Sequence, residues 1–157
     1  ASDGYKGQCG DFYWMRLVPL DVAYTGGDIV SYIVARNHAQ YGNERRRFLL
    51  LDLLQDALPA TDLIFCRDCL VHLSNAHIRQ ALDNIRASEA TYLLTTTFPG
   101  RVANDDIPTG SWRPINLQRP PYDFPPPLHL IDERCPAPAY ADRHLGLLRV
   151  ADIPHGE

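Results

Sequence analysis

Residues 61–74, TDLIFCRDCLVHLS, constrain the fold of this chain more than any other stretch. After polar Asp62, the side chains of Leu63, Ile64, Phe65 and Cys66 form a short unbroken apolar run, and a helix-start signal follows. Strands of parallel sheets are covered on both faces, so they read as continuous apolar runs rather than as alternating ones. Ligands of open α/β sheets sit where such strands end. Here that end carries Arg67, Asp68 and Cys69, with His72 close behind, four groups able to hold a proton, a charge or a metal.

The rest of the chain alternates around this strand. Residues 1–8, ASDGYKGQ, are polar and glycine-rich, with Tyr5 their one sizeable apolar side chain, and read as an irregular N-terminus. Cys9-Gly10-Asp11-Phe12 reads as a tight turn into a helix whose first N–H groups face whatever lies in front of it. Residues 21–27 predict a strand closed by two glycines. Asp28 then caps a helix with Ile29, Val30, Ile33 and Val34 on one face, and Gly42 ends it. Residues 48–54, FLLLDLL, predict a further strand with Asp52 at its exit, because a carboxylate inside such a run is costly. The clearest helix follows Ser74 as N-cap and places Ile78, Ala81, Leu82 and Ile85 on one face. Residues 91–98 predict another strand.

Ten of the 13 prolines fall between Pro99 and Pro138, so residues 100–139 read as a proline-rich lid or loop. Residues 128–131 and 145–150 predict two late strands, joined without a helix and therefore antiparallel. The pattern predicts a single α/β domain over residues 1–157: a doubly wound, mostly parallel Rossmann-like sheet with a C-terminal antiparallel edge hairpin.

Composition narrows the function classes. A net charge of −4 argues against a nucleic-acid partner, and Arg45, Arg46 and Arg47 read as a solvated run. No apolar run approaches the roughly 20 residues of a membrane span, and no secretory leader is visible. With four cysteines in no disulfide-like pattern, the expected location is the cytoplasm. Cys66 and Cys69 form a CxxC pair, but zinc would need two more ligands, so no metal site is expected and Cys66 reads as a small core residue.

Taken in order, CGDFYWM, YTGGDI, FLLLDLLQDALPATDLIFCRDCLVHLS and YLLTTTF resemble the class I S-adenosylmethionine-dependent methyltransferases, within them a bacterial group with a Cys-Gly-Asp-Phe nucleotide turn. The resemblance covers roughly residues 9–98, and SWRPINLQRPPYDFP looks like that group's tail. It implies S-adenosylmethionine as cofactor. Cys9, Gly10 and Asp11 would face its amino-acid end, Asp28 would accept the ribose hydroxyls, and Asp52 with Leu53 would sit by the adenine. Phe65, Cys66 and Arg67 would line the cofactor. Asp28 can equally be a plain helix N-cap. Asp68 and His72 are the candidates for substrate contact, as orienting group or base, and would share a helical face if the helix started that early. Ser111 to Asn116 with Tyr122 and Phe124 form either a substrate lid or a cover for the sheet's end.

The family's central strand normally precedes the glycine turn, and residues 2–8 stand in its place. Removing a middle strand opens a gap of about 10 Å, with strands about 4.8 Å apart, and leaves two edges. The glycine-rich segment could fill the slot, the neighbours could pair, or another subunit or an upstream segment could enter. The expected activity is methyl transfer to a small-molecule or sugar acceptor. The alternative is an N-terminally truncated, inactive methyltransferase-like protein that dimerises through an exposed sheet edge.

Overall fold

A computed structural model of the chain describes residues 10–19 and 21–155. Expectations for Cys9 and for residues 1–8, the absent central strand included, lie outside the described residues. The chain divides into two compact units, one running to Asp52 and one from Leu53.

In the first unit, β1 (Tyr24–Asp28) and β2 (Arg46–Leu50) pair in parallel, and α1 (Ser31–Tyr41) lies between them in the chain. A strand reading YTGGD has weak intrinsic preference. At Gly27 the missing side chain makes room for Leu51: a Cβ there would lie 3.3 Å from Leu51 Cβ and Cδ2. The unit's core is aromatic. Phe12, 1% exposed, has the rings of Tyr24, Tyr41 and Phe48 at 5.2–5.3 Å between centroids. Arg46 lies over the Phe12 ring and Arg45 pairs with Asp21, so the basic run is divided between a core edge and the surface.

Two expectations for this unit are corrected. The helix after the Cys-Gly-Asp-Phe turn is only a 3₁₀ turn, Met15–Leu17. Asp28 does not cap α1, because it is the last residue of β1 and the helix starts at Ser31 with Val30 as its N-cap. Ile29 and Val30 therefore precede the helix and are exposed, and the buried side chain of α1 is Asn37.

The second unit holds β3 (Leu63–Cys66), α2 (Asn75–Ala87), β4 (Tyr92–Thr97), β5 (His129–Asp132) and β6 (His144–Arg149). Its sheet has the order β3-β4-β6-β5. β3 and β4 are parallel, while β6 runs antiparallel to both β4 and β5. Among the described strands the pairings are thus two parallel and two antiparallel, in two separate sheets, rather than one mostly parallel sheet. The crossover that brings a chain back parallel is usually helical, and the prolines after β4 disfavour a helix before β6.

α2 forms as its periodicity dictates. Ser74 Oγ accepts the His77 N–H at 3.2 Å, and Ile78, Ala81, Leu82 and Ile85 are all buried. A second acceptor comes from far along the chain, where Asp106 Oδ1 takes the Asn75 N–H at 2.7 Å. That bond, aided by the Ile107 N–H and the charge of Arg113 against a smaller desolvation effect, holds the Asp106 carboxyl below the usual carboxylate range. A depressed carboxyl adds stability that is complete above the ordinary carboxylate pKa, about 4, and is lost as pH falls through the lowered folded value. Asp106→Asn is expected to flatten the acid limb of a stability-versus-pH curve, with parent and variant converging at the acid end; parallel curves would refute this.

The proline-rich segment is not a loose flap. Ile115, Leu117, Tyr122 and Phe124 are 0–4% exposed, and Arg113 and Asn116 are buried with them. Phe98 N–H donates to Ile115 O at 2.7 Å and Phe124 N–H to Leu117 O at 2.9 Å, so the segment continues the layer beyond β4. Two asparagines hold its ends. Asn104 Nδ2 donates to Asn116 O and Pro120 O, and Asn116 Nδ2 to Pro99 O and Arg101 O.

Candidate functional site

In the first unit the glycine turn and the strand-end acid meet. Gly10 has φ +51°, a conformation glycine adopts without strain, and its N–H donates to Asp28 Oδ2 at 3.1 Å across 18 residues of sequence. The other carboxylate oxygen, Oδ1, accepts the Val30 N–H at 2.9 Å, which turns the chain before α1. Asp28 is fully buried. Asn37 Nδ2 completes the group by donating to Gly10 O at 2.8 Å. Among the described residues no atom lies within 4 Å of where a Gly10 Cβ would stand.

Asn37 escaped the sequence reading. It stands four residues after Ile33 and three after Val34, on the face that the pattern marks as apolar, and a lone amide on such a face is the signal that identifies it. Asp11 is exposed and accepts the Tyr13 N–H at 3.0 Å. Asp52 is half-buried beyond the end of β2. With only one 3₁₀ turn after Phe12, no helix N-terminus offers its N–H groups there.

In the second unit the expected residues separate into three roles. Leu53 and Cys66 are core, 3% and 2% exposed. The hydrogen bond with Cys69, and then burial, push the Cys66 thiol well up, which makes it neither a nucleophile nor a ready metal ligand. No metal-holding group of His, Cys, Asp and Glu occurs among the described residues.

Arg67 and Asp68 enter an ion-pair ring that closes the end of β3 against the β5–β6 connection. Arg67 Nε donates to Glu133 Oε1 at 2.6 Å, Arg143 Nε to Glu133 Oε2 at 2.8 Å, and Arg143 Nη2 to Asp68 Oδ2. Asp68 has φ +54°, and its N–H donates to Thr96 Oγ1 at 2.8 Å on β4. Glu133 lies in the stretch read as loop and Arg143 between that stretch and the last predicted strand, and no sequence pattern marks them.

His72 ends a 3₁₀ turn, Leu70–His72, and α2 starts only at Asn75. With Asp68 in the left-handed region, the two share no helical face, and that expectation is corrected. The His72 Nδ1 lies 2.9 Å from Ser111 O. A carbonyl oxygen only accepts, so Nδ1 carries the hydrogen and Nε2 keeps its lone pair when the ring is neutral. Of the two candidate proton acceptors, Asp68 is held by Arg143.

No protein-family model matches the sequence, and no curated protein does. Among solved structures, the chain is similar to the (4+2)-cyclase SpnF, with TM-score 0.54 and 18% identity, covering 71% of this chain and 44% of that one. It is also similar to human N-acetylserotonin methyltransferase in complex with SAM, with TM-score 0.53 and 14% identity, covering 80% of this chain and 39% of that one. The chain thus spans less than half of either neighbour's length. The likeness is one of fold, an α/β architecture of Rossmann-like type.

Proposed function

We propose that this chain binds S-adenosylmethionine and supports methyl transfer to a small-molecule acceptor. The observation that carries the reading is the meeting of Gly10 and Asp28 at the C-terminal end of β1, where Rossmann-like folds bring a glycine turn and a ribose-binding acid together. One structural neighbour is a methyltransferase in complex with SAM. Another is a cyclase, so fold alone does not select the reaction.

The residues present fit the cofactor in kind. Asp28 supplies a carboxylate able to accept two ribose hydroxyls, and Gly10 allows close backbone approach. Asp11 and Asp52 would flank the amino-acid and adenine ends. The bound cofactor supplies a methyl group on a sulfonium, and the chain's part is then largely to hold the acceptor in line with it. Each oxygen of Asp28 accepts one N–H and keeps a second acceptor site, but the side chain is buried, so a ribose would reach Oδ2 by displacing the Gly10 turn.

S-adenosylmethionine and its demethylated product should each raise the melting temperature. A ligand at 100 times its Kd adds about 2.7 kcal/mol, which for a domain of this size is roughly 5–10 °C. No shift with millimolar ligand would reject the reading.

A second reading, a non-catalytic module that associates through a sheet edge, is favoured by β5. This strand ends its sheet, and Leu130 and Ile131 are 45% and 50% exposed. Sedimentation separates the two: a monomer that binds the cofactor leaves the second reading without support. No helix among the described residues is long and apolar enough to cross a membrane, and a cytoplasmic location is part of the proposal.

A further inference from the structure

In the second unit the strands are more apolar than one covered face requires. β3 reads LIFC, β4 opens with YLL and β6 holds LGLL, runs of the kind found in strands covered on both sides. Residues paired across strands point to the same face, so the register sorts these side chains. Cys66, Leu93, Thr95 and Leu148 share one face and are 0–4% exposed. Tyr92, Leu94, Leu145 and Leu147 share the other, joined by Leu63 of β3 and Ile131 of β5, and none of the six is buried. Leu63 and Ile131, at its two sides, are 44% and 50% exposed. Only Thr96 is buried on this face, at the end where it accepts the Asp68 N–H. Among the described residues the unit has one α-helix, α2, and one helix covers one face.

The dimensions of the open face select its occupant. Four strands about 4.8 Å apart, with β4 and β6 paired over six residues, make it about 14 Å wide and about 20 Å long. That is roughly 300 Å² in plan, well under the roughly 800 Å² that each partner of a stable dimer buries, so a second copy does not account for it. A helix about 10 Å across and about 13 residues long fits it. Charge sets the direction. Arg149 lies on the same face at the end where β4 begins, is exposed, and forms no ion pair among the described residues. The C-terminal end of a helix carries partial negative charge, so a helix ending at Arg149 runs antiparallel to β4. We propose that this face is a docking site for an amphipathic helix of another polypeptide. Its apolar stripe, at i, i+3, i+4 and i+7, lies on Leu94 and Leu147, and its C-terminal end meets Arg149.

The test uses the whole chain without cofactor and a fluorescent 14-residue peptide with leucines at that spacing and alanine, lysine and glutamate elsewhere. Such a peptide is only marginally helical alone. With the protein it should gain helical circular dichroism and bind saturably below about 1 mM, and a scrambled peptide of the same composition should not. Leu147→Glu, in the middle of the open face, should weaken binding at least tenfold, whereas Leu130→Glu, on the opposite face of β5, should leave it unchanged. Because a charge at position 147 can also disturb the fold, Arg149→Glu gives an independent readout: binding about threefold weaker, restored when the last turn of the peptide carries added lysines. No binding up to about 1 mM, equal binding of the scrambled peptide, or indifference to both Leu147 and Arg149 would overturn the proposal. Self-association in sedimentation that Leu147→Glu abolishes would overturn it too, by giving the face to a second copy. With no cofactor present, these outcomes are independent of the melting shift that tests cofactor binding.

Discussion

Arg113→Ala is expected to lower the free energy of unfolding by about 3–5 kcal/mol, the cost of breaking a buried and fully bonded charge site. Arg113 is 6% exposed, yet its guanidinium bonds in every direction. Nε donates to Asp105 O at 3.0 Å, Nη1 to Leu70 O and Val71 O at 3.3 and 3.2 Å, and Nη2 to Asn75 Oδ1 and Tyr122 OH at 3.0 and 3.2 Å. One side chain therefore joins the turn after β3, the start of α2 and two points of the proline-rich segment, Asp105 and Tyr122. Lysine has three donors on a single point and cannot reproduce that fork, so Arg113→Lys should still cost about 2 kcal/mol. Urea unfolding with an unchanged m-value measures both, and a domain of this size should melt roughly 10 °C lower for the alanine variant. A loss under 1 kcal/mol for Arg113→Ala would show that the segment is held by its apolar side chains alone.

The same side chain shows where sequence reasoning reached and where it stopped. The SWRPIN stretch reads as either a lid or a cover, because a lone arginine among prolines gives no sign of burial. Only the fold shows five acceptors converging on it. α2 was legible in full, since an N-cap and four apolar positions at helical spacing are local information. β3 and β4 were legible to within a residue or so for the same reason. Asp28 was legible as an acid at a strand end, but its partners were not. Gly10 is 18 residues upstream, and nothing in a sequence records which N–H groups a carboxylate will find. The Arg67–Glu133–Arg143–Asp68 ring spans 76 residues from Arg67 to Arg143 and is invisible for that reason. The resemblance to methyltransferases added chain order, which fits the architecture, whereas side-chain roles had to come from geometry.

Asp28 is the position where stability and ligand binding can be told apart. Asp28→Ala removes the acceptor of two N–H groups, from Gly10 and Val30, inside a fully buried site. Orphaned buried donors cost about 1–3 kcal/mol each, so a total loss of about 2–4 kcal/mol is expected in urea unfolding whether or not the protein binds a cofactor. Asp28→Asn keeps the shape but gives one of the two donors an NH₂ group to face, and should lose less, about 1–2 kcal/mol. The melting shift with S-adenosylmethionine behaves differently. If the carboxylate receives ribose hydroxyls, exchanging Gly10 N–H for a hydroxyl is close to an even trade for the parent. Removing the charge costs about 1.5–3 kcal/mol of binding, roughly a 10- to 100-fold weaker Kd. The expected result is a folded Asp28→Asn variant whose melting shift, at a ligand concentration about 100 times the parent's Kd, falls to between about one half and about one seventh of the parent's. Equal shifts in both proteins would mean that Asp28 only ties the glycine turn to the strand, and the ribose-binding role would have to be given up.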